Sequence, residues 1–459
     1  MESESYPQFT IYLVLLLGIG LALFRPYAAF LFSVLLLTAG HVDRFNQTRL
    51  PGLGPYFNLG DACLFVAFVA FFLDTIGHRK AVHIPQIVMA MFFVLVFSAV
   101  QSLWKLGGTY ETLRACRWAI QFPICFFLGA NMVDSADRGR KLVMALLAGA
   151  VLAALQHLLF AASLWQTKSL NLASYERMRT IGFWAGCMPS AFLVTGVLAV
   201  RPRGMLQTVF YVAVGLLFAA SLFLNQTRSL WMATACAVPG LAFLFMRRRA
   251  IAALLRVGVI GVLTVFTLAW VCERIMPGLS VLSIATDRIE RLFDQDQANV
   301  HMGTRERAFN AEMASWADGT LLFGRGLYFF QTERRLDDPS KEVAFNHLGY
   351  VTYLSQMGLI GLLVYGFYVP FGVLQNARSL WSGCDEASLR SVALLGGASI
   401  ICLSLMFVAS SHFLGLGYEA PAVLYGSLWV LSRASRADSV GMLAEGEREE
   451  GQTGELHCE

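Results

Sequence analysis

The sequence predicts an all-α polytopic membrane protein, with twelve or thirteen transmembrane helices and one long outer loop that carries short helices. Three observations predict it. Of 459 residues, 56% are hydrophobic and only 14% charged, where a soluble globular chain carries about 25% charged residues. Apolar runs close to the length of about 20 residues that crosses a bilayer recur along the whole chain. Lys and Arg collect in alternate connections, the pattern of a protein whose basic loops stay on the cytoplasmic side.

The apolar runs fall at 9–24, 26–40, 57–73, 82–104, 113–133, 142–164, 181–200, 205–224, 230–246, 250–271, 346–369, 391–410 and 419–432. The connections assigned to the cytoplasm by parity hold Arg25, Arg79 and Lys80, Arg138, Arg140 and Lys141, Arg201 and Arg203, Arg247 to Arg249, Arg378 and Arg390, and Arg433 and Arg436. Arg44 and Arg49 lie on the opposite side. Four regions follow: a bundle of about ten helices over 1–272, an outer loop over 273–345, further transmembrane helices over 346–432, and an acidic cytoplasmic tail over 433–459 expected to lack order. The start MESES has no basic segment of the kind that precedes a cleaved signal, so the first span is expected to remain.

The net charge of +4 is sorted by side rather than pooled in one basic patch, and no nucleic-acid partner is expected. Nine cysteines form no CxxC, and most fall inside spans, where Cys behaves as a small hydrophobe. No GxxxxGK[ST] occurs and no soluble catalytic domain is present, so ATP hydrolysis within the chain is not expected. Any chemistry therefore belongs at the membrane face.

Two outer clusters carry arginine against the positive-inside bias. YERMRTIGFW sets Arg177 and Arg179 just before the seventh run, and LNQTRSLWMA sets Arg228 in the short connection between the eighth and ninth. A guanidinium is a planar fork of donors that suits phosphate, and several of them suit a diphosphate. Snorkelling to lipid headgroups is the alternative. Arg114 and Arg117, at the outer start of the fifth run, fit headgroup anchoring better.

The outer loop opens with TDRIERLFDQ, which has the spacing of an amphipathic surface helix. GTRERAFNAEMASWADGT follows, with Arg305, Phe309 and Trp316 on a helix, and then LLFGRGL, a tight glycine turn around Arg325 whose backbone could approach a ligand closely. The loop ends at Asn346 and His347, where the eleventh run begins. His347 and Gly358 are eleven residues apart, close to three helical turns, which sets them on one face of a continuous helix. Gly358 and Gly361 would let another helix pack close.

Four of these stretches resemble the bacterial O-antigen ligase and O-antigen polymerase superfamily. RTIG at 179–182 is similar to that family's Arg-x-x-Gly at an outer helix start, and TRSLW at 227–231 to its Ser/Thr-Arg-Ser-x-Trp segment. GTRERAF with LLFGRG resembles its loop signature of an arginine, an aromatic helix and a Pro-Leu-x-Gly-x-Gly turn, although Leu321 stands where the family usually has proline. His347 followed by GLIG resembles its loop-end histidine. The likeness runs from about residue 142 to 369.

What the resemblance implies is glycan transfer from a polyprenyl-diphosphate carrier to an acceptor hydroxyl on the periplasmic face of the bacterial inner membrane, without metal or cofactor. Arg179, Arg228 and Arg305 would hold the diphosphate and His347 would act as the base. Trp316, Arg325 and Asn346 are acceptor or loop candidates. The partners are the lipid-linked glycan donor, a glycan, lipid or protein acceptor, and the bilayer itself. An O-antigen or exopolysaccharide polymerase differs only in its acceptor. A transporter of lipid-linked glycans is the reading from another class, and it predicts charges near the membrane midplane and a repeat between halves.

Overall fold

The computed structural model of the protein describes residues 5–39, 59–106, 110–166, 190–195, 204–225, 228–245, 320–327, 349–384, 386–409 and 419–454, with scattered positions between 266 and 343. The helices in chain order are α1 (Ser5–Phe24), α2 (Pro26–Ala39), α3 (Leu59–His78), α4 (Gln86–Leu106), α5 (Tyr110–Met132) and α6 (Ala136–Gln166). They continue with α7 (Met205–Asn225), α8 (Arg228–Phe245), α9 (Gly349–Gly361), a π-helical stretch (Leu362–Tyr368), α10 (Val369–Gly383), α11 (Ala387–Ala409) and α12 (Glu419–Gly454). Two two-residue strands, β1 (Glu333–Arg334) and β2 (Glu342–Val343), pair antiparallel in the outer loop. Every expected span has a helix except the run at 181–200, of which 190–195 is described and helical, and the run at 250–271, which lies almost wholly outside the described residues. Among the described residues, six segments are long and apolar enough to cross a membrane.

Small residues set the packing. In α5, Gly129 sits against the carbonyl of Val423, and in α12 Gly426 sits against the carbonyl of Phe126, so a side chain at either position would overlap backbone. Lipid is as apolar as leucine, so close backbone approach rather than the hydrophobic effect holds such helices together. From that pair the contacts pass through α10, α11, α6 and α2 to α3, which also meets α5. Outward-facing Phe, Leu, Val and Trp, such as Phe93, Val96 and Trp104 on α4, are exposed as a lipid-facing surface requires.

One end of the bundle is tied by ions. Helix α3 stops with Arg79 in the left-handed region (φ 49°), and the Lys80 amide then bonds back to the Thr75 carbonyl at 3.1 Å while Arg79 bonds Ile76 at 3.4 Å. This paired C-terminal closure satisfies the orphan carbonyls of the last turn and folds Lys80 back over Asp74. Asp74 is 2% exposed, and its carboxylate accepts from Lys80 Nζ at 2.9 Å and from both terminal nitrogens of Arg138 at 3.1 and 3.2 Å. Arg138 also lies 4.6 Å over the Tyr27 ring, and the Tyr27 hydroxyl donates to the Arg138 carbonyl.

The same end brings Asn131 to His83, Ser432 to Asn376, Ser435 to Gly383 and Arg436 to Ser379. The connections that parity had grouped at Arg25, Arg79, Arg138, Arg378 and Arg433 therefore meet at one face of the protein.

Two expectations need correction. The eleventh run is not one continuous α-helix: α9 begins at Gly349, loses helical geometry at Gly358, and passes through a π-helical turn into α10. The 433–459 tail, expected to lack order, is helical as far as Gly454. Beyond Pro421 α12 has no proline, and Ala, Arg, Glu, Met and Leu, all good helix formers, make up half of residues 437–454 beside four glycines.

Asp74→Ala should destabilise the folded protein in detergent by about 3 kcal/mol, the lower end for breaking a buried pair, because Arg138 and Lys80 keep 19% and 25% exposure. Thermal unfolding of Asp74→Ala, Arg138→Ala and the double variant checks this, and the double variant should cost clearly less than the sum of the singles.

Candidate functional site

The break at Gly358 is where the outer loop meets the membrane helices. Gly358 has φ 68° and ψ −167°, a backbone region open in practice only to glycine. An uninterrupted helix would bond the amides of Leu359 and Ile360 to the carbonyls of Ser355 and Gln356. Here the amides reach out instead to Leu321 at 3.0 Å and Leu322 at 3.1 Å. The two vacated carbonyls accept from the amides of Arg325 at 2.8 Å and Gly326 at 2.9 Å. The loop segment 320–327 thus replaces two helical hydrogen bonds with four of its own, and the four backbone groups freed at the break are all paired.

The inserted segment is itself a closed turn. Gly324 N donates to the Thr320 carbonyl at 2.7 Å, and the Thr320 hydroxyl donates to the Gly324 carbonyl at 3.0 Å. Gly324 and Gly326 have φ of 68° and 107°. A Cβ on Gly324 would lie 2.5 Å from the Gly358 nitrogen, and one on Gly358 would lie 2.3 Å from the Leu322 carbonyl. The close backbone approach expected of this glycine turn is made to α9. The expectation that Gly358 receives another helix is corrected, since what packs there is the turn.

Helix α4 supplies the cradle. Gln101 Nε2 donates to Thr320 Oγ1 at 3.0 Å, Ser102 Oγ donates to the Leu327 carbonyl at 2.8 Å, and Phe97 stacks on Phe323 with centroids 4.9 Å apart. Ser102 is sixteen residues from Gln86, the first residue of α4 beside the ionic end, which is about 24 Å of helix. A hydrocarbon layer of about 30 Å therefore encloses the docked turn near its outer boundary.

The sequence-derived residues fall around this core unevenly. Trp316 is helical and donates Nε1–H to the Leu321 carbonyl at 3.0 Å, the same carbonyl that receives Leu359, so its indole braces the turn. Arg325 is half-buried between the two left-handed glycines, with its amide on Ser355. Arg228 is the first residue of α8. Arg179, Arg305, Asn346 and His347 lie outside the described residues. His347 precedes Gly349, the start of α9, by two positions, and the Gly358 break ends the continuous helix on which its three-turn spacing had been reckoned.

Several polar residues escaped the sequence reading. Glu312, one turn before Trp316, is 3% exposed. Gln121 Nε2 donates to Asp61 Oδ1 at 3.1 Å, and Glu419 at the start of α12 is 4% exposed. His157 and Ser221 form a buried pair at 2.8 Å between α6 and α7. For Asp61, Gln121, His157, Ser221 and Glu419 the available signal was a polar side chain within an apolar run; Glu312 lies in the outer loop, where no such signal exists. Among the described residues no group of three or more His, Cys, Asp or Glu is arranged to hold a metal ion.

The fold and this junction define a polytopic membrane protein whose outer loop is built into a broken transmembrane helix. Residues 211–366 match a protein family described as O-Antigen ligase. The matched stretch runs from α7 to the π-helical turn and takes in Arg228, the docked turn, His347 and Gly358. It supports the O-antigen ligase superfamily and a membrane glycan ligase- or polymerase-like role. No curated protein matches the chain.

Gly358→Ala and Gly324→Ala should each unseat the turn, because the new methyl meets backbone and the native φ is positive. The outer loop should become sensitive to added protease while the inner ionic end stays folded. Gly20→Ala, where nothing lies within 4 Å, is the matched control and should behave as wild type.

Proposed function

We propose that the protein is a membrane glycosyltransferase that moves a glycan from a polyprenyl-diphosphate carrier to an acceptor hydroxyl on the periplasmic face of the bacterial inner membrane. The observation that carries this reading is the O-Antigen ligase family match over 211–366, which spans the arginine turn at 228, the docked turn and the loop end at 347.

In this reading His347 takes the proton of the acceptor hydroxyl as its oxygen bonds to the anomeric carbon. The bond from that carbon to the carrier oxygen breaks, and polyprenyl diphosphate leaves with the electron pair. Arg179, Arg228 and Arg305 hold the diphosphate and offset the charge that grows on it. No metal and no cofactor takes part. Trp316, Arg325 and Asn346 lie on the acceptor side, and the bracing of Trp316 against the docked turn supports a fixed wall there.

Reconstitution with a defined lipid-linked glycan and a panel of glycan, lipid and protein acceptors tests the reading directly. Transfer to a non-glycan acceptor is expected, and chain extension of the donor alone would identify a polymerase instead. Movement of intact donor across the bilayer with no new glycosidic bond would replace the enzyme reading with a transporter.

Arg179→Ala and Arg228→Ala should each weaken the donor interaction by about 2–5 kcal/mol, the cost of removing one side of a charged pair in a partly dry site. Lysine at either position should restore only part of the loss, since it lacks the planar fork. Normal donor binding in both alanine variants would make them lipid anchors.

His347→Ala should leave insertion and donor binding intact while transfer falls by about 10² to 10⁴, the contribution of a positioned acid or base. Specific activity and yield of folded protein, measured on one preparation, separate this from a structural histidine.

A further inference from the structure

The outer end of the bundle contains a second histidine, His157, which has no part in the transfer scheme. It lies on α6, nineteen residues beyond Arg138 of the ionic end; at 1.5 Å per residue that is about 28 Å, nearly the full hydrocarbon thickness. His157 is 3% exposed and Ser221 of α7 is 0% exposed, and the His157 Nδ1 to Ser221 Oγ distance is 2.8 Å. A buried imidazole in an otherwise apolar helix is costly unless its bonding is satisfied and its placement serves a purpose.

The next link is one residue away. The carbonyl of Leu222, beside Ser221, accepts a hydrogen bond from the indole Nε1 of Trp231 at 2.8 Å. Trp231 is three residues after Arg228, within the first turn of α8. An unbroken series of named contacts thus passes from α6 through the outer end of α7 to the turn that Arg228 begins. Ser221 fixes α7 against α6, and Trp231 fixes α8 against α7. Among the described residues α8 packs chiefly on α11 and makes less contact with α7, and the Leu222–Trp231 bond ties the first turn of α8 to the outer end of α7. His157 also lies outside the stretch that carries the family match, which begins at residue 211.

We infer that His157 is a positioning residue for Arg228: through Ser221 and the Leu222–Trp231 bond it holds the arginine turn where it can grip the diphosphate of the lipid-linked donor. The inference rests on the reading of Arg228 as a diphosphate ligand. It assigns to α6 a share in donor recognition while leaving the proton transfer to His347.

The test is steady-state transfer by purified full-length protein with a defined polyprenyl-diphosphate glycan, comparing His157→Leu, His157→Asn, Ser221→Ala, Trp231→Phe, Arg228→Ala and the double variant His157→Leu/Arg228→Ala. Loss of one buried hydrogen bond should raise donor KM about five- to tenfold in His157→Leu, Ser221→Ala and Trp231→Phe, with kcat and acceptor KM within about twofold of wild type. Asparagine can keep a polar atom near the Nδ1 position, so His157→Asn should recover most of the donor KM. In the double variant the His157 change should add nothing to the effect of Arg228→Ala, because the group it positions is gone.

A donor KM that rises in Arg228→Ala and stays normal in His157→Leu, Ser221→Ala and Trp231→Phe overturns the inference and leaves the arginine reading intact. A normal donor KM in Arg228→Ala overturns the arginine reading, and the inference with it. Equal losses in kcat for every variant, in proportion to lost folded protein and without rescue by asparagine, make His157 a packing residue and also overturn the inference. Should His157→Leu fail to fold, Ser221→Ala and Trp231→Phe decide the matter by the same donor KM.

Discussion

The exchange of main-chain hydrogen bonds at Gly358 is the constraint on which the outer half of the protein depends. A membrane helix cannot simply stop making its own bonds, since each unpaired amide or carbonyl in hydrocarbon costs several kcal/mol. The helix opens only because the 320–327 turn arrives with the complementary set: two carbonyls for Leu359 and Ile360, two amides for Ser355 and Gln356. Main-chain pairing of this kind fixes position and register together, and it does so without any side chain that substrate binding would need. Trp316, braced against the Leu321 carbonyl of the same turn, shares that register.

The two ends of the bundle are secured by different physics. At the inner end the bonds are ionic and made by side chains, with Asp74 receiving Arg138 and Lys80. At the outer end they are neutral and made by backbone, cradled by Gln101, Ser102 and Phe97 of α4. Peptide groups paired with one another hold the outer junction without drawing on any charged side chain.

Much of this architecture was legible in the sequence because hydropathy and charge sorting are imposed residue by residue by the bilayer. The span limits at α2, α7 and α8, and the gathering of Arg25, Arg79, Arg138 and Arg433 at one face, follow from those two rules alone. The Gly358 break was not legible. GYVTYLSQMGLIGLLVYG contains no charged residue and no proline, and a glycine within it reads equally as a packing surface or as a break. Only the partner segment distinguishes the two, and that partner lies some thirty residues away in a loop with no periodicity of its own. The His157–Ser221 pair was missed for a related reason: each is a single polar residue within an apolar run, and their adjacency exists only in three dimensions. Of the site residues named from sequence, Trp316, Arg228 and Arg325 fall on described elements, and none of the three could have been connected to Gly358 by spacing.

The order of the two halves of the junction along the chain has a consequence for how the protein is made. The turn at 320–327 leaves the ribosome before the helix that will receive it, and it must cross to the outer side while α9 and α10 are still unsynthesised. Until the turn docks, the α9–α10 stretch can close its own ladder as an ordinary helix, with Leu359 on Ser355 and Ile360 on Gln356. The finished protein requires that this simpler helix be opened again by a loop already waiting outside. Assembly therefore includes an invasion of one backbone by another, and glycine at 358 is the one residue type that lets the door be hinged rather than broken.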